Sequence, residues 1–161
     1  MPKRPWNQVN VPVYSLATLD SSGVPNFNMC TYVTAISLKP KLFAVAVYEG
    51  TKTLENLLQN PSNCNLQVLS LDCINLFRVL GKQSGKDIDK QKLIERKGFN
   101  VTSFKNAPAI KELVSVMNMS IQSYQKQGDH TLFIMKVESF STLNQTPILY
   151  TQDLIDKRLI L

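Results

Sequence analysis

The chain has little of the chemistry that binds metal ions or forms disulfides. Its 161 residues include one histidine, His130, and three cysteines, Cys30, Cys64 and Cys73, with no Cys-x-x-Cys spacing among them. A single histidine excludes a histidine-rich metal site, and an odd, sparse set of thiols argues against a zinc site or a disulfide framework. We therefore expect no metal ion, and a reducing compartment with the cytoplasm as the default.

Long apolar runs and the glycine patterns of nucleotide-binding loops are also missing. No stretch approaches the ~18 apolar residues of a membrane helix, and no signal-like apolar run follows the basic residues 1–6. The Gly-x-Gly-x-x-Gly, P-loop and Gly-x-Ser-x-Gly patterns are absent. We expect no signal peptide, no membrane association, and neither a Rossmann loop, a P-loop nor a hydrolase nucleophile elbow.

The composition is that of one globular domain. Hydrophobic residues make up 43% and charged residues 19% of the chain, which excludes a disordered or collagen-like polypeptide. The length predicts a single domain over residues 1–161 that needs no metal or disulfide for stability. The net charge of +6 is compatible with nucleic acid, an acidic membrane surface or a phosphate-bearing ligand.

Positive charge is densest in residues 82–106, where apolar side chains are few. The lysines there are mixed with three acidic residues, and only two phenylalanines are available to stack on bases. We interpret this segment as a solvated surface excursion with a short helix at 88–97. Nucleic-acid binding is therefore not expected.

Strand patterns dominate the rest of the sequence. Turn signals at Asp20–Gly23 and Gln127–Asp129 predict hairpins, and a long extended segment covers Asn26–Ser37. The wholly apolar run Leu42–Tyr48 predicts a strand covered on both faces. The other predicted strands lie at 11–19, 65–70, 117–122, 131–137 and 147–150. Many short strands indicate a mainly β fold, a β-barrel with a few short helices.

Two short helices interrupt the predicted strands. One covers Leu54–Gln59, with Thr51 or Thr53 as its N-cap, and ends at Asn60-Pro61. The other spans Ile74–Leu80 and ends at a glycine. Both are too short to form an independent helical layer, which keeps the predicted fold mainly β.

Three segments carry candidate chemistry. Thr51-Lys52-Thr53 opens a helix, so hydroxyls, an ammonium and free backbone N–H groups converge in an arrangement suited to a phosphate; an ordinary threonine cap beside a solvated lysine is the alternative. The polar strand Asn26–Ser37 either lines a flat ligand, with Tyr32 against it, or is one exposed face of a sheet. His130 begins a strand and is either a surface residue or a functional one.

A Cys30–His130 nucleophile pair is the weaker interpretation of these two residues. Nothing in the sequence around Cys30 favours a thiolate. We expect Cys30 to be a half-buried structural residue of a strand.

Four segments, in order along nearly the whole chain, resemble the flavin reductase-like family. They are Asn28–Lys41, Ala44–Asn56, Ser84–Lys90 (Ser-Gly-Lys-Asp-Ile-Asp-Lys) and Gly128–Ile134 (Gly-Asp-His-Thr-Leu-Phe-Ile). The family includes the flavoredoxins. The resemblance implies an FMN-binding split β-barrel with a few short helices, and a homodimer with flavin near the subunit interface.

Site residues follow from the resemblance position by position. The family's flavin segment corresponds to Asn28, Met29, Cys30, Thr31, Tyr32, Val33, Thr34 and Ala35. Within it, Tyr32 to Ala35 are implied to lie along the isoalloxazine, and Asn28 and Thr31 to reach the ribityl chain or phosphate. Lys52 and Thr53 are implied to hold the phosphate. His130 matches the histidine that approaches the nicotinamide or the flavin edge, and it is the candidate catalytic residue.

The implied activity is hydride transfer from NADH or NADPH to FMN, with FAD as a possible flavin. The flavin supplies the redox chemistry, and the protein supplies binding and orientation. Met135-Lys136 replaces the family's usual Gly-Glu, which is the sequence hint for the alternative, an FMN-binding electron-transfer protein reduced by a partner protein. The expected partners are a second copy of the chain, flavin and nicotinamide nucleotides, with an electron-accepting protein as a further candidate.

Overall fold

A seven-stranded antiparallel sheet forms the body of the protein. The computed structural model describes residues 4–161, so the first three residues of the basic N-terminal segment lie outside the described part. The strands run in the order β2-β1-β5-β8-β9-β4-β3, and β6 and β7 form a separate hairpin. Their bounds are β1 Tyr14–Leu19, β2 Pro25–Phe27, β3 Val33–Ser37, β4 Leu42–Tyr48, β5 Cys64–Val68, β6 Val101–Phe104, β7 Ala107–Ile110, β8 Ser115–Gln127 and β9 His130–Thr142.

The two ends of the sheet meet at residues 28–32, between β2 and β3. Cys30 forms an antiparallel bridge with Tyr14 of β1, with both N–H···O distances at 2.8 Å. Two residues later, the Tyr32 carbonyl accepts from Ala46 N of β4 at 2.9 Å. This seam joins β1 to β4 and closes the sheet into a barrel, as the sequence predicted. The extended segment predicted at 26–37 is interrupted at the seam and forms two strands, β2 and β3.

The apolar core lies on two sides of β1. Leu16 packs inside the barrel with Phe43, Val45 and Phe133, whereas Ala17 faces a second cluster formed mainly by the short helices. Because successive side chains of a strand point to opposite faces, β1 is buried on both faces, including its polar residues. The strand that the sequence predicted to be covered on both faces, β4, is not: Phe43, Val45 and Val47 are buried, but the intervening Leu42, Ala44 and Ala46 are only half-buried.

Within residues 4–161, four short α-helices accompany the sheet: α1 Lys52–Gln59, α2 Phe77–Gly81, α3 Lys90–Arg96 and α4 Thr151–Asp156. Thr51 caps α1, as one of the two predicted threonines, by accepting from Leu54 N at 3.2 Å. The helix predicted at 74–80 is a 3₁₀ segment, Leu71–Leu76, followed directly by α2. The last predicted strand forms only isolated bridges and leads into a helix. Among residues 4–161, no helix is long and apolar enough to cross a membrane.

The β6–β7 hairpin was not predicted from the sequence. Two buried amide side chains of β5 hold it. Asn65 Nδ2 donates to the carbonyls of Phe104, Ala107 and Pro108, and Gln67 bonds both the N–H and the C=O of Ile110. These side chains therefore bond backbone groups of the hairpin that a neighbouring strand would otherwise pair with.

Candidate flavin site beside the barrel seam

A cavity of about 660 Å³ opens beside the seam. Four parts of the chain form its walls: the seam itself, the ends of β4 and β9, the start of α1, and the segment from the end of α2 to α3. The lining residues are Asn26, Asn28, Met29, Cys30, Thr31, Tyr32, Ala46, Val47, Tyr48, Glu49, Gly50, Thr51, Lys52, Thr53, Leu80, Gly81, Lys82, Gln83, Ser84, Gly85, Lys90 and His130.

The start of α1 gives this cavity an anion-binding wall. The first N–H groups of a helix have no intrahelical acceptor. The Thr51 hydroxyl accepts from Leu54 N and donates to the Tyr48 carbonyl at 2.9 Å, which leaves the N–H groups of Lys52 and Thr53 for other acceptors. The positive end of the helix dipole adds to their attraction for an anion.

Lys52 extends this wall with a cation that already has two carboxylate neighbours. Its ammonium lies 3.9 Å from Asp20 Oδ2 and 3.5 Å from Glu55 Oε2. Such partly exposed pairs contribute little to stability and break at low cost. Lys52 can therefore turn to a more strongly charged ligand such as a phosphate.

Close packing behind the helix start fixes its position. Thr53 is 2% exposed, and its hydroxyl accepts from Asn26 Nδ2 at 3.1 Å. Gly85 lies against the same carboxamide, and a Cβ at Gly85 would overlap Asn26 Oδ1 and approach Lys52 Cβ at 3.3 Å. Glycine is thus the residue that lets this turn approach the helix start.

A buried ammonium joins two walls of the cavity. Lys90 is 5% exposed, and its Nζ donates to the Phe27 carbonyl at 2.7 Å and to the Leu80 carbonyl at 3.1 Å. Burial lowers its pKa to about 8, because a desolvated ammonium loses its hydration. An ammonium has three donors, so these two contacts leave one of them for a ligand.

Aromatic rings gather around His130. The imidazole lies 5.2 Å from the Tyr32 ring and 5.3 Å from the Tyr48 ring, between centroids. Its Nδ1 is 2.6 Å from Asp129 Oδ1, and because a carboxylate only accepts, this contact orients the ring with Nδ1 as the donor. The three rings provide flat surfaces suited to a planar heterocycle.

Cys30 lies half-buried in the seam, where it bridges to Tyr14. Burial raises the pKa of its thiol to about 12, so the sulfur remains protonated and is a poor nucleophile. Its neighbour Asn28 is also engaged in the fold, because Asn28 Oδ1 accepts from Leu16 N at 2.8 Å. Within residues 4–161, no group of three or more histidine, cysteine or acidic side chains is arranged to hold a metal ion.

The structure brings most of the sequence-predicted site residues together. Asn28, Met29, Cys30, Thr31 and Tyr32 line the cavity from the seam, and Lys52, Thr53 and His130 line it from the other walls. Val33, Thr34 and Ala35 lie along β3, next to the cavity in sequence but outside its lining.

Met135 and Lys136 lie away from the cavity. Met135 is fully buried in the barrel core, and Lys136 pairs with Glu138 at 3.4 Å. They follow His130 by five and six residues along β9, or roughly 17–20 Å at a strand rise of about 3.3 Å per residue. The departure from the family pattern at these positions therefore leaves the cavity walls unchanged.

Sequence reasoning missed three residues of the site. Asn26, Gly85 and Lys90 all lie in segments that the sequence pattern singled out, but no role was assigned to them. The Ser84–Lys90 motif was the available signal, since a glycine and a lysine at fixed positions in a polar turn indicate a close approach and a specific charge.

A barrel closed at a seam, with an open cavity lined by backbone amides, cations and aromatic rings, is the architecture of a small-ligand-binding split barrel. The chain belongs to the family of flavin reductase like domains, whose family model matches residues 6–157. This confirms the family and the mainly β split-barrel class. Among curated proteins, no sequence matches the chain significantly.

Solved structures show the same fold. The flavin reductase PheA2 in its native state is 23% identical, with a TM-score of 0.74 and 93% of each chain covered. The NADH:FAD oxidoreductase SgcE6 of Streptomyces globisporus C-1027 is 17% identical, with a TM-score of 0.76 over 93% of this chain and 92% of that one. An FMN-binding protein from Thermus thermophilus is 17% identical, with a TM-score of 0.73 over 88% of this chain and 77% of that one.

Proposed function

We propose that the chain is an NAD(P)H-dependent flavin reductase that transfers a hydride to FMN. The observation that carries this proposal is one cavity with two complementary parts, the anion-binding start of α1 and the aromatic group around His130. A flavin mononucleotide has the matching parts, a phosphate and a planar ring. Among the structural relatives, one is described as an FMN-binding protein and another as an NADH:FAD oxidoreductase.

The residues present fit a flavin. The N–H groups at the start of α1, with the Lys52 ammonium, would hold the phosphate. Asn28 and Thr31 would meet the ribityl chain and Tyr32 would contact the ring, whereas Val33 to Ala35 lie outside the cavity lining. When bound, the flavin supplies the hydride acceptor.

His130 would position the nicotinamide or stabilise charge beside the flavin. Asp129 fixes the imidazole through Nδ1, which leaves Nε2 for a ligand. The neighbouring tyrosine rings would exclude water from one side of the reacting groups. We also propose that the protein acts in the cytoplasm as a homodimer, and sedimentation at micromolar concentration tests the second part.

An anaerobic visible spectrum tests the activity directly. FMN added to the protein is expected to bind and then bleach rapidly when NADH or NADPH is added, and the faster donor is the preferred one. Flavin that binds but stays oxidised with both donors would contradict the reductase and favour the electron-transfer protein. Flavin that does not bind at all would contradict both.

Removing the Lys52 charge tests the phosphate site. In Lys52→Met we expect FMN to bind about fivefold to tenfold more weakly, because one charge-assisted contact to the phosphate is lost from a partly solvated position. Riboflavin, which lacks the phosphate, should bind with unchanged affinity. Titration of flavin fluorescence measures both, and Lys86→Met is the matched control on an exposed lysine outside the cavity. Equal weakening for FMN and riboflavin would show that Lys52 does not act on the phosphate.

Removing the imidazole tests the role of His130. In His130→Ala we expect turnover to fall roughly tenfold to a hundredfold, the range for loss of one positioned polar group, while the affinity for FMN changes little. Steady-state reduction of FMN by NAD(P)H, together with a flavin titration, separates the two effects. An unaltered turnover rate would remove His130 from the mechanism.

A further inference from the structure

A second, smaller cleft adjoins the flavin cavity. Its volume is about 250 Å³, and its walls are the outer side of α2 and the residues that follow α4. The lining residues are Phe77, Arg78, Lys82, Gln83, Arg158 and Leu159. Lys82 and Gln83 line the flavin cavity as well, so the two spaces share a wall.

The lining of this cleft carries three positive charges and no negative one. Within residues 4–161, the side chains of Arg78, Lys82 and Arg158 form no ion pair or hydrogen bond, and the Lys82 ammonium lies 5.6 Å from the centre of the Phe77 ring. Like charges around one concave surface produce a positive potential that attracts anions.

Arg158 occupies a backbone position that arginine does not favour. Its φ is 55°, in the left-handed region, and it follows Lys157, the C-cap of α4, in a Schellman motif. Arg158 N donates to Ile155 O at 2.8 Å, and Leu159 N to Leu154 O at 2.9 Å. Glycine or asparagine is the usual residue there. The Schellman motif accounts for this conformation, and the Arg158 side chain lines the cleft.

The segment from Lys82 to Gly85 connects the cleft to the proposed phosphate site at the start of α1. Gly85 packs against Lys52 at the start of α1, and Lys82 lies three residues earlier. Three consecutive Cα–Cα steps of about 3.8 Å place the Cα atoms of Lys82 and Gly85 within about 11 Å of each other. A nucleotide whose phosphate lies at the start of α1 can therefore extend past Gln83 into the cleft.

We propose that this cleft binds the adenylate phosphates of a dinucleotide whose other half occupies the flavin cavity. The proposal rests on the proposed function. Guanidinium groups match phosphate oxygens in a bidentate geometry, and two of them with an ammonium complement a pyrophosphate or a further phosphate. The dinucleotide is either FAD, taken in place of FMN, or the nicotinamide donor itself.

The test compares ligands with and without an adenylate group on one variant, Arg78→Gln/Arg158→Asn. Asparagine suits the left-handed position, so the second change removes the charge and preserves the helix end. Arg96→Gln, an exposed arginine of α3 outside both cavities, is the matched control. The measurements are ADP binding by calorimetry, the dissociation constants of FMN and FAD, and the KM values for NADH and NADPH.

We expect the double variant to weaken ADP binding about tenfold, as for loss of two charge-assisted phosphate contacts, and to change FMN binding less than about twofold. If the adenylate belongs to FAD, the dissociation constant for FAD rises about tenfold. If it belongs to the donor, the KM for NADH or NADPH rises about tenfold at constant kcat. ADP binding, FAD affinity and KM that all stay unchanged would overturn the proposal, whereas failure of wild-type protein to bind FMN would overturn the proposed function instead.

Discussion

Gly85→Ala is expected to weaken FMN binding at least tenfold and to lower the free energy of unfolding by about 2 kcal/mol. The added Cβ would overlap Asn26 Oδ1, so the carboxamide has to move. That movement breaks the buried bond from Asn26 Nδ2 to the Thr53 hydroxyl, and the start of α1 loses its fixed position. Urea denaturation and an FMN titration measure the two effects.

Gly81→Ala is the matched control for this change. Gly81 also lines the cavity, but its Cβ would meet Met29 at an ordinary 3.5 Å. Since alanine is favoured over glycine in a helix by up to about 1 kcal/mol, Gly81→Ala should leave stability unchanged or slightly raised.

A double-mutant cycle identifies the cause. In an Asn26→Ala background the clash is absent, and Gly85→Ala should then have little further effect on stability. If Gly85→Ala is as harmful in that background as in the wild type, the close approach to Asn26 is not the reason for the glycine.

Lys90→Met is expected to lower the free energy of unfolding by about 2–4 kcal/mol, since the carbonyls of Phe27 and Leu80 lose their shared buried donor. The apolar replacement offsets part of this cost by avoiding a desolvated charge. Lys92→Met, on the exposed side of the same helix, should change stability by less than about 0.5 kcal/mol. Equal stability of the two variants would show that the buried ammonium is dispensable.

The difference in stability between wild type and Lys90→Met should also depend on pH. The folded pKa of Lys90 is lowered from 10.5 to about 8, so between these pH values the unfolded chain binds more protons than the folded one. The stability of wild type relative to Lys90→Met should therefore rise with pH above about 8, with a limiting slope of about 1.4 kcal/mol per pH unit, and stay constant below it.

Taking the difference between the two proteins removes other titrating groups from this measurement. Burial raises the pKa of Cys64 and Cys73 to about 12, as it does for Cys30, and these thiols lower the stability of both proteins as pH rises. Urea titrations between pH 7 and 10 supply the curve. A flat difference over this range would contradict the burial of a charged Lys90.

Local sequence patterns predicted the structure correctly where the hydrogen bonds that form it join residues only a few positions apart. The Asp20 carboxylate accepts from Ser22 N and Val24 N, and Gly23 adopts a φ of 79°, which makes the predicted hairpin turn. Thr51 caps α1 by bonding a residue three positions later. At the turn the residue types and their spacing indicate the hydrogen bonds, whereas at the helix they left two candidate caps, Thr51 and Thr53.

Burial was less predictable, because it depends on what packs against a strand or helix. The polar Ser15 and Thr18 of β1 are buried because the barrel and the helices cover both faces of that strand. The apolar β4 keeps one half-open face, where alanines line up in a pattern that looks like a core strand. Lys90 lies in a lysine-rich segment that the sequence predicted to be on the surface, yet its ammonium is a buried donor.

The sequence by itself determined the mainly β class, two of the hairpin turns, a pair of candidate helix-capping threonines and the family, because these depend on short-range patterns and on motifs in fixed order. Tertiary structure alone decided which of those residues share a cavity. It placed Asn26 against Gly85, Lys90 between the carbonyls of Phe27 and Leu80, and Arg78 and Arg158, eighty residues apart, in the lining of one cleft. The physical reason is that burial and charge proximity arise from chain segments packed together across the fold, where sequence spacing carries no information about distance.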